Sequence, residues 1–157
     1  MSKLIIGSHA EFEQYIGKEL GVSDYVTITQ DRIDKFAEAT LDHQWIHTDP
    51  ERAKAEGNFG CTIAHGYLNI SISPYLWKQI AEIRNLNMMI NYGVEDLRFN
   101  QPVLVNSEVR LRATLHSLVN LRGISKCHLK VDLEIKGNKK SAFSGFLVFL
   151  YYFNNNK

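Results

Sequence analysis

Hydrophobic positions along this chain change period near its middle. In the first half they recur at three- and four-residue spacings. In QDRIDKFAEAT, Ile33, Phe36 and Ala37 share one face, with Arg32, Lys35 and Glu38 off it, and Thr29 stands as an N-cap. The spacing predicts a helix ending near Thr40. Asp49-Pro50-Glu51 is a second start signal, a capping carboxylate before proline and an acid, for a short helix to about Glu56. Gly57 and Gly60 then bracket a turn. From about His65, Leu68, Ile72, Tyr75, Leu76, Ile80 and Ile83 lie at helical spacings, while Tyr67, Ile70 and Trp77 fall off that stripe. A helix apolar over so much of its circumference is predicted to be buried on several sides, with Tyr75 and Trp77 in the core. Pro74 should bend or split it.

After Asn87 the period becomes two. Ile90, Tyr92 and Val94 alternate, then the phase slips to Leu97 and Phe99, which predicts a bulge near Glu95. Val109 to Leu115 alternate with Arg110, Arg112 and Thr114, and Cys127 to Ile135 alternate with His128, Lys130, Asp132 and Glu134. Gly137-Asn138 makes a turn, and SAFSGFLVFLYYF is a last strand apolar on both faces, expected centrally or against another subunit. The pattern describes long antiparallel strands with one wet and one dry face. Helices first and strands after point to α+β. One largely apolar helix and a sheet of long strands are satisfied together if the sheet curls around the helix, the hot-dog architecture.

Composition narrows the classes. The 157 residues suit one domain, with its core from about residue 15 to 153. A formal net charge of +1 gives no bulk reason to expect nucleic acid or an acidic membrane surface as partner. The longest apolar run, Phe146 to Phe153, is far below the ~20 residues of a transmembrane helix. Cys61 and Cys127 form no Cys-x-x-Cys unit and suit a reducing compartment, so a cytoplasmic location is expected.

The candidate chemistry is concentrated in LDHQWIHTDPERA, which starts at Leu41. Asp42, His43, His47 and Asp49 could be a metal site, an acid–base pair or a solvated loop. His43 and His47 have i, i+4 spacing, but no glutamate stands beside the first histidine, and a third ligand would have to come from His65 or an aspartate. No metal is expected. Asp49 is better read as the cap of the next helix and His43 as a solvent-facing bystander.

The stretch FAEATLDHQWIHTDPERAKAEGNFGCTIAHGYL resembles the MaoC-like dehydratase family, which includes the R-specific enoyl-CoA hydratases. Asp42, Ile46, His47, Asp49, Pro50, Gly60, Ala64, His65 and Gly66 match its pattern. LRFNQPVLVNSEVRLRATL resembles the family's Arg-Phe-x-x-Pro-Val strand and turn. DHQWIH, together with Ile90-Asn91-Tyr92-Gly93, is most similar to a nodulation-protein-N-like branch. Gln44 and Trp45 stand where relatives carry Asn-Pro, and Pro74 falls where some hydratases place a supporting serine, with Ser71 and Ser73 nearby.

The resemblance implies a hydratase or dehydratase acting on trans-2-enoyl or (R)-3-hydroxyacyl thioesters. Asp42 and His47 would be the catalytic pair around one water, and the backbone N–H of Gly66 would bind the thioester oxygen. His65 would orient the turn, with Gln44 and Tyr92 as further substrate-binding candidates. It implies no cofactor beyond the acyl carrier, CoA or carrier protein, and a homodimer as the usual unit. A hot-dog thioesterase and a non-catalytic acyl-CoA-binding protein are the rival readings; the Asp42/His47 pair argues against both.

Overall fold

The structure is a computed structural model and describes residues 3–154. Its chain order is β1 (Leu4–Ile6), α1 (His9–Glu13), β2 (Glu19–Val22), β3 (Val26–Thr27), α2 (Gln30–Thr40), α3 (Trp45–Thr48) and α4 (Pro50–Glu56). Then follow α5 (Gly66–Ser71), α6 (Ser73–Ile80), β4 (Ala81–Ile83), β5 (Leu86–Phe99), β6 (Glu108–Leu121), β7 (Ile124–Ile135) and β8 (Phe143–Phe153). The main sheet is antiparallel in the order β2-β6-β7-β8-β5, and β3 pairs with the other end of β6.

Alternation along β6 and β7 turns Val109, Leu111, Ala113 and Leu115, and Leu129, Val131 and Leu133, onto one dry face. Leu68, Ile72, Leu76, Trp77 and Ile80 of α5 and α6 pack on that face within a single hydrophobic cluster. The sheet thus wraps the helix pair in the hot-dog arrangement. One polar link fixes the helix in its sheath: buried Trp77 donates from Nε1 to the hydroxyl of buried Tyr151, at 2.7 Å. β8 lies between β7 and β5, the inner position its two apolar faces require.

The helix is split as Pro74 demands. α5 ends at Ser71 with Ile72 as the joint, and α6 carries Pro74 in its first turn, where a missing N–H costs nothing. Two expectations are corrected. The helix stops at Ile80, and Ala81–Ile83 leave it to pair in parallel with β1, because Leu4–Ile6 offer an open strand edge. Tyr75 is exposed rather than core, as is Tyr67, so the helix presents one tyrosine-bearing side outward while Trp77 is buried. The expected bulge is present: the β5–β8 register shifts between Glu95 and Arg98, and Asp96 adopts a left-handed conformation at φ 48°.

Candidate active site

Three local features deliver the site. α2 is capped by Thr29, whose hydroxyl accepts from the Arg32 N–H, and it terminates at Leu41 in the left-handed conformation, φ 62°. That reversal turns Asp42 out of the helix direction. α3 is a single turn, closed by the His47 N–H donating to the Gln44 carbonyl at 2.9 Å, and it carries His47 inward until it is buried. Residues 62–64 run alongside, held by Ile63 N–H to the Ile46 carbonyl (3.0 Å) and Ala64 N–H to the Val103 carbonyl (2.8 Å). They bring His65 to the N-terminus of α5.

Hydrogen bonds set the tautomer of His47. Its Nδ1 lies 2.6 Å from the carbonyl of Ile63. A carbonyl only accepts, so Nδ1 carries the proton and Nε2 presents a lone pair. Gln30 supports the same turn from behind, donating to the His47 carbonyl at 2.7 Å while accepting from the Thr62 hydroxyl at 2.5 Å. Burial holds the His47 imidazole below its ordinary pKa, and neighbouring His65 acts in the same direction; the Ile63 hydrogen bond and the Asp42 charge oppose them without prevailing. At neutral pH this is a neutral imidazole with a free basic nitrogen.

His65, also buried, stacks on His47 with ring centroids 3.9 Å apart and planes 24° from parallel. Its Nε2 is 2.9 Å from the Asp42 backbone carbonyl and 3.9 Å from the Asp42 carboxylate. The carboxylate itself is half exposed. A ligand atom from each of Asp42, His47 and His65 lies within 4.8 Å of the others, so this is the set that could hold a metal ion. The fit is poor, because His65 Nε2 is already committed to a carbonyl. His65 Nδ1 is buried, so the accessible free donors are His47 Nε2 and the carboxylate, fewer than the three protein ligands of a catalytic zinc site.

His47 and Gly66 open onto a cleft of about 490 Å³, with Asn69, Phe99, Asn100 and Gln101 among its walls. Gly66 is required there: a Cβ would sit 2.8 Å from Cζ of Phe99. As the first residue of α5, Gly66 has an N–H without an intrahelical acceptor. Asn69 is buried, and its Oδ1 has no partner among the described residues. Sequence reasoning did not single out Asn69, Gln30 or Gln101, and their isolated side chains carry no spacing signal. Phe99 was within reach, as the aromatic of the Arg-Phe-x-x-Pro-Val stretch.

The candidates therefore divide. Asp42, His47, His65 and Gly66 come together. Gln44 and Tyr92 do not join them: neither belongs to the Asp42, His47 and His65 cluster, and neither lines the cleft onto which His47 and Gly66 open. Gln44 serves through its carbonyl as the N-cap of α3, and Tyr92 is exposed on β5 with the Lys126 ammonium 5.2 Å from its ring. Asp49 caps α4 by accepting from the Arg52 N–H, and His43 is half exposed beside Glu38. Trp45 lies against the Arg52 guanidinium, 4.6 Å from its ring centroid. Ser71 and Ser73 donate to the Tyr67 and Asn69 carbonyls, so each hydroxyl is spent within the helix.

A sheet wrapped round a split helix, with Asp42, His47 and His65 gathered at that helix's N-terminus, defines a hot-dog protein with a titratable cluster beside a cleft. The chain belongs to the MaoC-like domain family, whose profile matches residues 11–136. It is similar to 3-hydroxyacyl-thioester dehydratase Z of Mycobacterium tuberculosis, with 42% identity over 136 residues, covering 86% of this chain and 89% of the relative. It is also similar to nodulation protein N of Rhizobium leguminosarum bv. viciae, with 40% identity over 152 residues, covering 95% and 94% of the two chains. Among solved structures, the R-hydratase PhaJ1 from Pseudomonas aeruginosa shares the fold with a TM-score of 0.70, at 19% identity, over 93% of this chain and 84% of that one.

Proposed function

We propose that this protein adds water to a trans-2-enoyl thioester, or removes it from the (R)-3-hydroxyacyl thioester, with Asp42 and His47 as the catalytic pair. The observation that carries the reading is the free Nε2 of a buried, neutral His47 in the cleft, with the Asp42 carboxylate beside it. In the hydration direction the pair holds one water and removes its proton as the oxygen bonds to C3. The C2=C3 electrons move toward the thioester carbonyl, and a proton is delivered to C2. The Gly66 N–H faces the resulting oxyanion, a contribution of about 3–4 kcal/mol for one such donor. General acid–base catalysis adds ~10²–10⁴-fold. The acyl group arrives on CoA or a carrier protein, and the chemistry calls on no metal or further cofactor.

The working unit in this proposal is a homodimer. β5 is an edge strand of 14 residues that exposes Met88, Ile90, Tyr92 and Val94. A long apolar edge of that kind is normally covered. The cytoplasm is the proposed location, since Cys61 and Cys127 are both free thiols.

The test is direct. Purified protein is incubated with trans-2-enoyl-CoA of several chain lengths, following the conjugated enoyl absorbance and free thiol together. Loss of absorbance without thiol supports hydration. Release of CoA would identify a thioesterase, and no change at any chain length would leave a binding protein. Asp42→Asn should abolish hydration; unchanged turnover in that variant defeats the assignment. Sedimentation of the same sample reads the dimer.

A further inference from the structure

His65 is buried between two aromatic neighbours, His47 on one side and Phe36 at 4.9 Å on the other. Among the described residues its ring makes one hydrogen bond, from Nε2 to the backbone carbonyl of Asp42, and its Nδ1 is buried with no partner. A carbonyl accepts, so Nε2 carries the proton and Nδ1 holds a lone pair facing no donor. Leaving a buried polar atom unpaired costs about 1–3 kcal/mol. That cost is tolerated where the arrangement serves something other than stability.

We infer that His65 is a positioning residue: an imidazole that ties down the Asp42 backbone through Nε2–H and braces the His47 ring by stacking. The two reacting side chains then keep one mutual geometry. This rests on the hydratase reading for its consequence, not for its geometry. Asp42 follows a left-handed Leu41 and leads into a one-turn helix, so little in its own segment fixes it. The His65 bond supplies the missing constraint. The titratable groups beside His47 are Asp42 and His65, and Tyr67 also lines the cleft, where Asn69, Asn100 and Gln101 are uncharged.

Two variants and one spectrum test this. His65→Phe keeps a ring but loses the donor, and kcat should fall by about 10²-fold with KM unchanged, the scale of a misplacement near 1 Å. His65→Gln keeps a donor near the Nε2 position but loses the ring. Its kcat should fall less than that of His65→Phe, again with KM unchanged. Nitrogen NMR of histidine-labelled wild-type protein should show His65 protonated at Nε2 and His47 at Nδ1. The inference is overturned if His65 carries its proton on Nδ1, if folded His65→Phe keeps wild-type kcat, or if His65→Gln loses as much kcat as His65→Phe. A wild-type protein that hydrates no enoyl thioester sinks the proposed function instead, while the spectrum still decides the tautomer.

Discussion

Gly66→Ala tests the geometry of the cleft most sharply. The added Cβ would lie 2.8 and 2.9 Å from Cζ and Cε1 of Phe99, against an ordinary contact of 3.4–4 Å. Either the Phe99 ring or the first turn of α5 must yield by at least 0.6 Å, the difference between 3.4 and 2.8 Å. The ring is half exposed and is the softer partner, but it borders the cleft, so moving it alters the space offered to substrate. Moving the turn instead displaces the Gly66 N–H. Displacements on this scale cost up to 10²-fold in rate, which is about 2.7 kcal/mol of transition-state stabilisation. We expect kcat/KM for an enoyl thioester to fall ten- to a hundredfold, with the melting temperature little changed. Phe99→Ala removes the clashing ring, so Gly66→Ala in that background should lose much less. Activation free energies from the four proteins close a double-mutant cycle. Additivity within about 0.5 kcal/mol would show no coupling and would refute the steric account.

Three further outcomes follow from the geometry. Trp77→Phe removes the donor to the buried Tyr151 hydroxyl and should lower unfolding free energy in urea by about 1–3 kcal/mol, beyond the loss of ring volume. Leu41→Gly relieves a left-handed backbone at an exposed position and should raise stability by up to about 1 kcal/mol, read as an increased denaturation midpoint at constant slope. The depressed His47 pKa gives a stability contribution of known sign. The unfolded chain, with His47 near its ordinary value of 6.5, binds a proton that the folded protein resists, so stability is fully present above that pH and is lost as pH falls toward the folded value. His47→Gln should flatten this part of the stability-versus-pH curve; an unchanged slope would contradict the assigned tautomer environment.

Period alone carried the strands, because β6 and β7 each have one wet and one dry face, and alternation reports that difference directly. It failed where partners come from afar. Ala81–Ile83 continue a helical spacing yet become a strand, since Leu4–Ile6 lie far away in sequence and their edge is invisible locally. Tyr75 matched the apolar stripe, but an amphipathic ring at a stripe position does not say which side of the helix meets the sheet.

The site shows the same division at finer scale. Asp42, His47, His65 and Gly66 were legible because short-range devices place them: a helix end, a one-turn helix and a helix start. Tyr92 and Gln44 were drawn in by sequence neighbourhood to a motif, and proximity along a strand or cap does not fix which face a side chain takes. What no spacing could reveal is the scaffold behind the pair. Gln30 reaches His47 across 17 positions, the Ile63 carbonyl across 16 and His65 reaches Asp42 across 23. Each is a single hydrogen bond whose partner is backbone, and a carbonyl has no residue identity to read. The Asp42, His47 and His65 cluster is thus written in side chains, while its tautomers and mutual geometry depend on main-chain atoms that only the folded structure brings near.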